Sequence, residues 1–497
     1  MFLAVAMTTF EDFLSKAERA NVVPVIDTMP ADLLTPLSVY LRLADGQSNS
    51  YLLESVEGGE SLARYSFIGV DPRMVVSGNE RSVVIDGETE IETSMWSYLR
   101  EHFQNYNVVQ DSEMPSFVGG AIGYFGFSCS GWFEPSIKTE VAESGLPGST
   151  FMFFRSIVAF DHAKQSIKII SLVFTDESES GNDGLHDLFD KAGSANAEIK
   201  SILENQSITI PGSNTNIESG VVRSNWPKAD FENAVREIKE LIAAGECYQV
   251  VLSQCFTKPT GASAVSIYRA MRSLNPSPYM FLLKNGDRSI IGASPEMLIR
   301  SRGNQLEYRP IAGTRPRGKT DEEDARLAEE MRADIKEVAE HQMLVDLGRN
   351  DLGRVAAYGS IKVSGLMSVE KYSHVQHLVS SLSAKLRKGL DRFDALASCF
   401  PAGTVSGAPK VRSIEIIRDL EPTPRGIYAG AVGYFDYTGN LDTCIAIRTL
   451  VLENGIAKIQ AGAGIVADSV PELEFDETVN KAKGLLRSLE IAEGGLV

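Results

Sequence analysis

Four glutamates stand in two matched pairs, Glu337 with Glu340 and Glu474 with Glu477, each spaced i, i+3 so that a helix would present both carboxylates on one face. Lys481 extends the second face. Carboxylates offered by two facing helices make the hard-oxygen ligand set that Mg2+ accepts, with water or an anionic ligand completing the shell. The same spacing also suits a solvated helix face. Around the pairs the chain reads AEHQMLVDLGRNDLGRV and VPELEFDETVNKAKG, which sets each acidic face beside an apolar stripe, and a carboxylate that close to a core needs a partner.

Only six histidines occur, and His374 and His377 fall at i, i+3 in KYSHVQHLVS. An imidazole that titrates near neutrality suits proton abstraction from carbon; a histidine on an apolar segment is equally at home as a hydrogen-bonded core residue. Three Gly-rich turns, PIAGTRPRG from Pro310, PAGTVSGAPK from Pro401 and QAGAGIVADS from Gln460, offer backbone N–H groups beside hydroxyls or cations. Such turns suit carboxylate or phosphate oxygens. None has the GxxxxGK[ST] pattern or a GxGxxG between strand and helix, so a small ligand with several carboxylates fits better than a nucleotide.

These residues need a scaffold, and its elements are partly readable. From Ser50 to about Ile170 short Val, Ile and Phe runs such as 74–76 and 83–85 are broken by turns such as Asp86-Gly87, which reads as β-rich. The polar stretches SESGNDG and PGSNTNIESG bracket an amphipathic segment near Leu188, placing a lobe boundary near residue 220. Beyond it Phe231, Val235, Ile238 and Ile242 recur at helical spacing before Gly245, and a strand YQVVLSQCF follows. One long helix is predicted from Asp321 to about Asp346, opened by the capping pattern Thr320-x-x-Glu323, and the last helix from near Pro471 past Leu486. GAIGYF at 120–125 is echoed by GAVGYF at 430–435, which predicts two related sheets with close backbone approach at the glycines.

Composition limits the function classes. The 497 residues are 43% hydrophobic and 23% charged, ordinary for a globular chain with a large core. A net charge of -18 opposes nucleic-acid binding. The five scattered cysteines, without CxxC spacing, indicate neither a disulfide framework nor a thiolate zinc site and fit reduced cytoplasm. MFLAVAM lacks a basic n-region and reads as a tail or alternative start, at Met1 or Met7, and no apolar run approaches the ~20 residues of a membrane helix.

Taken together, the series GECYQVVLSQ, NPSPYMF, ASPEML, PIAGTRPRG, EHQMLVDLGRND, YSHVQHLVS, PAGTVSGAPK, IYAGAVGYF, AIRT, QAGAGIVADS and ETVNKAKG resembles the chorismate-utilising family of anthranilate, aminodeoxychorismate, isochorismate and salicylate synthases. That resemblance implies an α/β fold of two antiparallel sheets packed face to face with helices outside. It makes 1–220 a β-rich lobe with a tryptophan-binding element and 221–497 the chorismate-binding region, the two intertwined in one unit. It implies Glu340 and Glu477 as direct Mg2+ ligands, with Glu337 and Glu474 holding metal-bound water. Arg448 and Tyr428, with backbone amides near Gly462 and Gly464, would clamp the enolpyruvyl carboxylate. Ala312, Gly313, Thr314 and Lys481 would line the same pocket, and catalysis would fall to Glu296, His377 and Thr404.

Within the family two positions discriminate. Relatives that add water carry Lys where this chain has Gln249, because water needs a general base and ammonia does not. Aminodeoxychorismate synthases carry a nucleophilic Lys where this chain has Ala312, which forms no covalent adduct. The implied reaction is amination of chorismate at C2 followed by loss of pyruvate. Ammonia would come from a glutamine amidotransferase subunit in a heterotetramer of two synthase and two amidotransferase chains. LLES at 52–55 and NPSPYMF at 275–281 resemble the family's inhibitor pocket, in which Glu54, Ser55, Asn275, Pro278, Tyr279 and Met280 would contact L-tryptophan. The competing readings are a sister enzyme that keeps pyruvate in the product, a non-catalytic tryptophan-binding homologue and an acidic scaffold protein.

Overall fold

The computed structural model describes residues 7–55, 64–111, 113–137, 148–179, 181–214, 217, 219–371 and 375–495. The β-rich half forms its strands where the apolar runs lie: Met74–Gly78, Val83–Ile85 and Thr89–Ile91 follow one another. Asp86 and Gly87 turn the last two, both in the left-handed region (φ 53° and 77°) that the turn requires. The helix Lys228–Ala243 buries Phe231, Ala234, Val235 and Ile238 and ends at Gly245 (φ 83°), whose N–H bonds the Ile242 carbonyl.

The stretch read as one helix from Asp321 is two, Asp321–Ala333 and Ile335–Gly353. Asp334 makes the break. Its backbone is extended (ψ 109°) and its carboxylate accepts the N–H groups of Lys336 and Glu337, which starts a new helix and places Glu337 in its first turn.

Two twelve-stranded sheets, with antiparallel ladders throughout, form the centre. The first runs Val22–Pro30, Ser166–Phe174, Ser156–Asp161, Tyr65–Val70, Asn49–Glu54, Tyr279–Asn285, Arg288–Ser294, Thr449–Glu453, Ile456–Ile465, Gln249–Pro259, Arg223–Ser224. The second runs Ile311–Pro316, Val375–Lys385, Gln305–Tyr308, Met297–Arg302, Leu441–Ile445, Ala431–Asp436, Gly120–Phe125, Ser149–Phe154 and on to the short strands above. Each sheet takes strands from both sides of residue 220, so the linear halves interleave. The sheets meet through aromatic contacts such as Tyr51 on Phe154 (4.7 Å) and Phe67 on Tyr434 (6.1 Å). On the first sheet's other side a separate apolar layer holds residues of helices Pro36–Leu43, Ala264–Leu274 and Pro471–Gly494.

The two echoed segments do not come from two sheets. They are neighbours in the second, with Gly123 opposite Gly433. A Cβ at Gly123 would run into the Thr150 carbonyl and one at Gly433 into the Asp442 carbonyl, so close backbone approach explains the glycines.

Candidate active site

The chain passes from one sheet to the other at two places that face each other. Arg288–Ser294 belongs to the first sheet and Met297–Arg302 to the second, with Pro295 and Glu296 between them. Leu441–Ile445 in the second sheet and Thr449–Glu453 in the first are joined by Ala446, Ile447 and Arg448. The two crossovers are tied together: Ile445 N–H donates to the Glu296 carbonyl (3.0 Å), Ala293 N–H to the Arg448 carbonyl (3.1 Å) and Ser294 Oγ to the Ile445 carbonyl (2.7 Å).

Glu296 is buried, and burial pushes its carboxyl up to about 8. Thr404 pulls weakly the other way without a well-formed hydrogen bond, for its buried Oγ1 has no partner. A carboxyl that keeps its proton to that pH can act as an acid. Arg448 holds a left-handed backbone (φ 49°), a strained conformation of the kind concentrated at functional sites. Its side chain opens to solvent while the surrounding protein lowers its pKa, and its guanidinium has no ion-pair or hydrogen-bond partner among the described residues. Such a group awaits an anion.

Thr314 pairs with His377 across the ladder between Ile311–Pro316 and Val375–Lys385, whose register shifts at Gly313 (φ 65°). His377 Nδ1 lies 2.9 Å from the Gly313 carbonyl and 3.0 Å from Thr314 Oγ1. A carbonyl only accepts, so Nδ1 carries the proton and the lone pair sits on Nε2. Burial lowers the His377 pKa, the Gly313 carbonyl opposes this and Arg448 adds to it, which leaves the ring neutral and basic near pH 7. His374 lies outside the described residues.

Gly313 also touches the acidic helix: a Cβ there would sit 3.1 Å from Glu337 Oε2. Glu337 accepts from Arg315 Nη1 (2.8 Å). Glu340 is accessible to solvent, yet desolvation by the protein raises its pKa, with Glu337 and, from the other helix, Glu477 adding to the rise while Lys336 and Lys481 oppose it. Burial likewise raises Glu474, a Ser469 hydrogen bond opposes the rise and Glu477 supports it. Glu477 meets Lys481 Nζ (2.7 Å), which also donates to the Gly462 carbonyl (2.9 Å). The two acidic helices therefore feel each other's charge across a gap.

Among the described residues no three Asp, Glu, His or Cys side chains converge on one point to cage an ion. The carboxylates that face each other from the two helices are oxygen donors of the kind Mg2+ takes one or two at a time, with water and substrate completing its shell. The remaining wall is the first sheet. The ladder between Thr449–Glu453 and Ile456–Ile465 ends at the Leu450–Ile459 pair; beyond it Gly462 and Gly464 have no ladder partner on that side, while on the other they pair with Ser253 and Val251. A Cβ at Gly462 would press on Tyr428 Oη (2.8 Å) and one at Gly464 on Gln249 Nε2 (2.5 Å). Ala312, partly buried, precedes Gly313 in the strand Ile311–Pro316 and pairs with Leu378.

A cavity of about 660 Å³ lies elsewhere, lined by Glu54, Ser55, Pro278, Tyr279 and Met280 but not by Glu296, Thr314, His377, Arg448 or the four glutamates. Ser55 Oγ is buried without a partner. Glu54 is engaged by Tyr268 Oη and by Arg272 Nε (3.2 Å). Asn275 does not line the cavity; it closes the helix Ala264–Leu274 and turns its amide to Gly484 (3.1 Å from a Cβ there). Sequence reasoning missed Arg300 and Asp442, which line it and bond each other (2.7 Å) with Tyr279 Oη on Asp442 (3.0 Å). A cationic position in the strand MLIRSR was their one signal.

Comparison with known proteins gives concordant matches. The family model described as chorismate binding enzyme matches residues 48–487. The chain is 43% identical to anthranilate synthase component 1 of Pseudomonas putida, over 97% of this chain and 98% of that protein. It is 39% identical to the protein of the same name from Bacillus subtilis, over 97% and 95%. The crystal structure of anthranilate synthase component I from Streptococcus pneumoniae TIGR4 superposes with a TM-score of 0.74 at 34% identity, covering 92% of this chain and 98% of that one. The menaquinone-specific isochorismate synthase of Escherichia coli shares the fold, with a TM-score of 0.71 at 21% identity, over 98% and 96%.

Proposed function

The chain belongs to the chorismate-binding enzyme family, and on that premise we propose that it converts chorismate and ammonia into anthranilate and pyruvate, the reaction that opens tryptophan biosynthesis. The observation that carries this reading is the pair of tied crossovers, one bearing a buried carboxyl acid and the other an unpartnered guanidinium whose charge reaches the neutral imidazole of His377. Gln249 and Ala312 favour ammonia as the free nucleophile, since neither supplies the general base or the nucleophilic amine that Lys gives related enzymes at those positions.

Arg448, with Tyr428 and the strand at Gly462 and Gly464, binds the enolpyruvyl carboxylate. Ammonia bonds to C2 of the ring as the diene shifts and the C4–O bond breaks; Glu296 gives its proton to the departing hydroxyl, with Thr404 beside it. His377 Nε2 then takes the C2 proton while the bond between ring C3 and the enolpyruvyl oxygen breaks; the ring becomes aromatic, and the enolpyruvate released takes a proton on its methylene carbon to become pyruvate. Glu340 and Glu477 would hold Mg2+ directly, and Glu337 and Glu474 through water; bound there, the ion would neutralise the ring carboxylate and the mutual repulsion of the glutamates. Lys481 and Thr314 hold the pocket's backbone and the imidazole in place.

The partner is a glutamine amidotransferase that supplies ammonia, in a two-plus-two assembly, and the name component 1 borne by the relatives supports a partner chain. Among the described residues no helix is long and apolar enough to cross a membrane. The cavity at Ser55 is the seat of L-tryptophan inhibition, which its unsatisfied hydroxyl supports.

The test is to incubate the chain with chorismate, Mg2+ and ammonium and to follow anthranilate fluorescence and pyruvate with and without tryptophan. Equimolar products suppressed by tryptophan are expected; an aminated product that retains pyruvate would point to a sister enzyme, and untouched chorismate to a binding protein. Arg448→Gln should raise KM for chorismate about 10- to 100-fold, the worth of one hydrogen bond to a charged group. Unchanged KM would remove Arg448 from the clamp. Ser55→Phe fills part of the cavity and should raise the inhibitory tryptophan concentration by about tenfold or more, ~1.4 kcal/mol for each decade, with kcat unchanged. Undiminished inhibition would count against the cavity.

A further inference from the structure

Ser380 Oγ joins three elements. It accepts the Met367 N–H (2.9 Å) and lies 2.6 Å from His341 Nε2, and both Ser380 and His341 are wholly buried. Met367 reaches it because the strand Lys362–Lys371 bulges between Ser364 and Ser368, with Gly365 and Met367 in the left-handed region (φ 62° and 54°). Ser368 Oγ pins the bulge to the Gly365 and Val379 carbonyls (3.0 Å each). A non-glycine residue in that conformation is strained, so the bulge has to be held by the bonds it makes.

His341 follows Glu340 directly and lies one helical turn beyond Glu337, and Ser380 lies three residues beyond His377. We propose that His341 is a positioning residue: through Ser380 it fixes the height and rotation of helix Ile335–Gly353 on the strand that carries His377, and so sets where the carboxylates of Glu337 and Glu340 stand. This rests on the reading of Glu340 as a metal ligand. Leu344, Val345 and Leu352, the buried apolar side chains of the same helix, hold it down, but apolar contact is non-directional and sets register weakly. Of the helix's other polar ties, the one from Arg315 to Asp334 and Glu337 engages one of the carboxylates concerned, and the one from Lys410 to Asp351 holds the far end, about three turns beyond Glu340. The buried imidazole bond is directional and leaves both carboxylates free to ligate.

The experiment measures Mn2+ binding to the purified chain from the EPR signal of the free ion, with the Mg2+ concentration for half-maximal turnover and the melting temperature of each variant. His341→Leu and Ser380→Ala should weaken Mn2+ about 10- to 100-fold, the usual loss when a group that orients a ligand is removed. Their kcat at saturating metal should stay within a few-fold of wild type. His341→Gln, whose amide nitrogen reaches the Nε2 position, should restore affinity to within about threefold, which a purely structural role would not do. Should His341→Leu fail to fold, Ser380→Ala, the smaller change, decides. Wild-type Mn2+ affinity in Ser380→Ala would overturn the proposal, as would equal loss in His341→Leu and His341→Gln. Binding that is lost in Glu340→Gln but kept in Ser380→Ala overturns this proposal alone; a wild-type chain that binds no Mn2+ overturns the metal reading and this proposal with it.

Discussion

Glu296→Gln should lower kcat about 10²- to 10⁴-fold while leaving KM for chorismate within a few-fold, because it removes the proton donor and keeps the shape. The buried carboxyl holds its proton up to about pH 8, so the acid is present below that pH and is lost as pH rises through it. Wild-type kcat/KM, expressed per unprotonated ammonia, should therefore fall above about pH 8. The His377 base gives the opposite limb: burial lowers its pKa below the usual histidine range, and activity falls only when acidification protonates it. The residual activity of Glu296→Gln should lack the alkaline limb and keep the acidic one. Stability supplies an independent check. A carboxyl whose pKa is raised by folding contributes fully below its unfolded value and loses that contribution as pH rises through about 8, so wild type should be the less stable of the two proteins at pH 9. A pH profile for Glu296→Gln that matches wild type would take the acid's role from this residue.

The scaffold was legible in the sequence wherever one short-range rule decided it. Asp86-Gly87 marked its turn because only certain residues take left-handed backbone cheaply, and Gly245 stopped its helix for the same reason. The break at Asp334 was missed because AEEMRADIKEV keeps strong helix formers on both sides; a single side chain that captures two N–H groups outweighs their propensity. The glycine echo was visible, but that its two copies pair with each other is a fact about partners 310 residues apart, read only from the ladder. The acidic pairs could be seen because i, i+3 spacing is local. Nothing local connects Thr314 to His377, which meet across a ladder within one sheet, or the crossover at Glu296 to the one at Arg448, which meet where strands change sheets, and Arg448 entered the reading through family resemblance. Strands buried on both faces, such as Ser166–Phe174, carry no period-2 pattern that could have located a crossover.

Glu340→Gln should reduce magnesium-dependent turnover more than about 100-fold, beyond the loss seen when a group that merely orients a ligand is removed. It should also leave the fold intact or firmer. Glu340 is exposed to solvent, its carboxylate is raised first by desolvation and then by Glu337, and no cation is bonded to it among the described residues, so a neutral amide relieves repulsion at no packing cost. The other three glutamates differ in kind. Glu337 is already bonded to Arg315 and Glu477 to Lys481, and Glu474 is supported by Ser469. Replacing Glu337 should therefore strand a guanidinium as well as remove a carboxylate, and its loss of activity would not report on metal alone. Glu340→Gln is the cleaner probe for that reason. Mn2+ titration and thermal melting together decide it: weakened binding with an unchanged or higher melting temperature supports a ligand, whereas undiminished binding would move the metal, and with it the ring carboxylate, away from the facing helices.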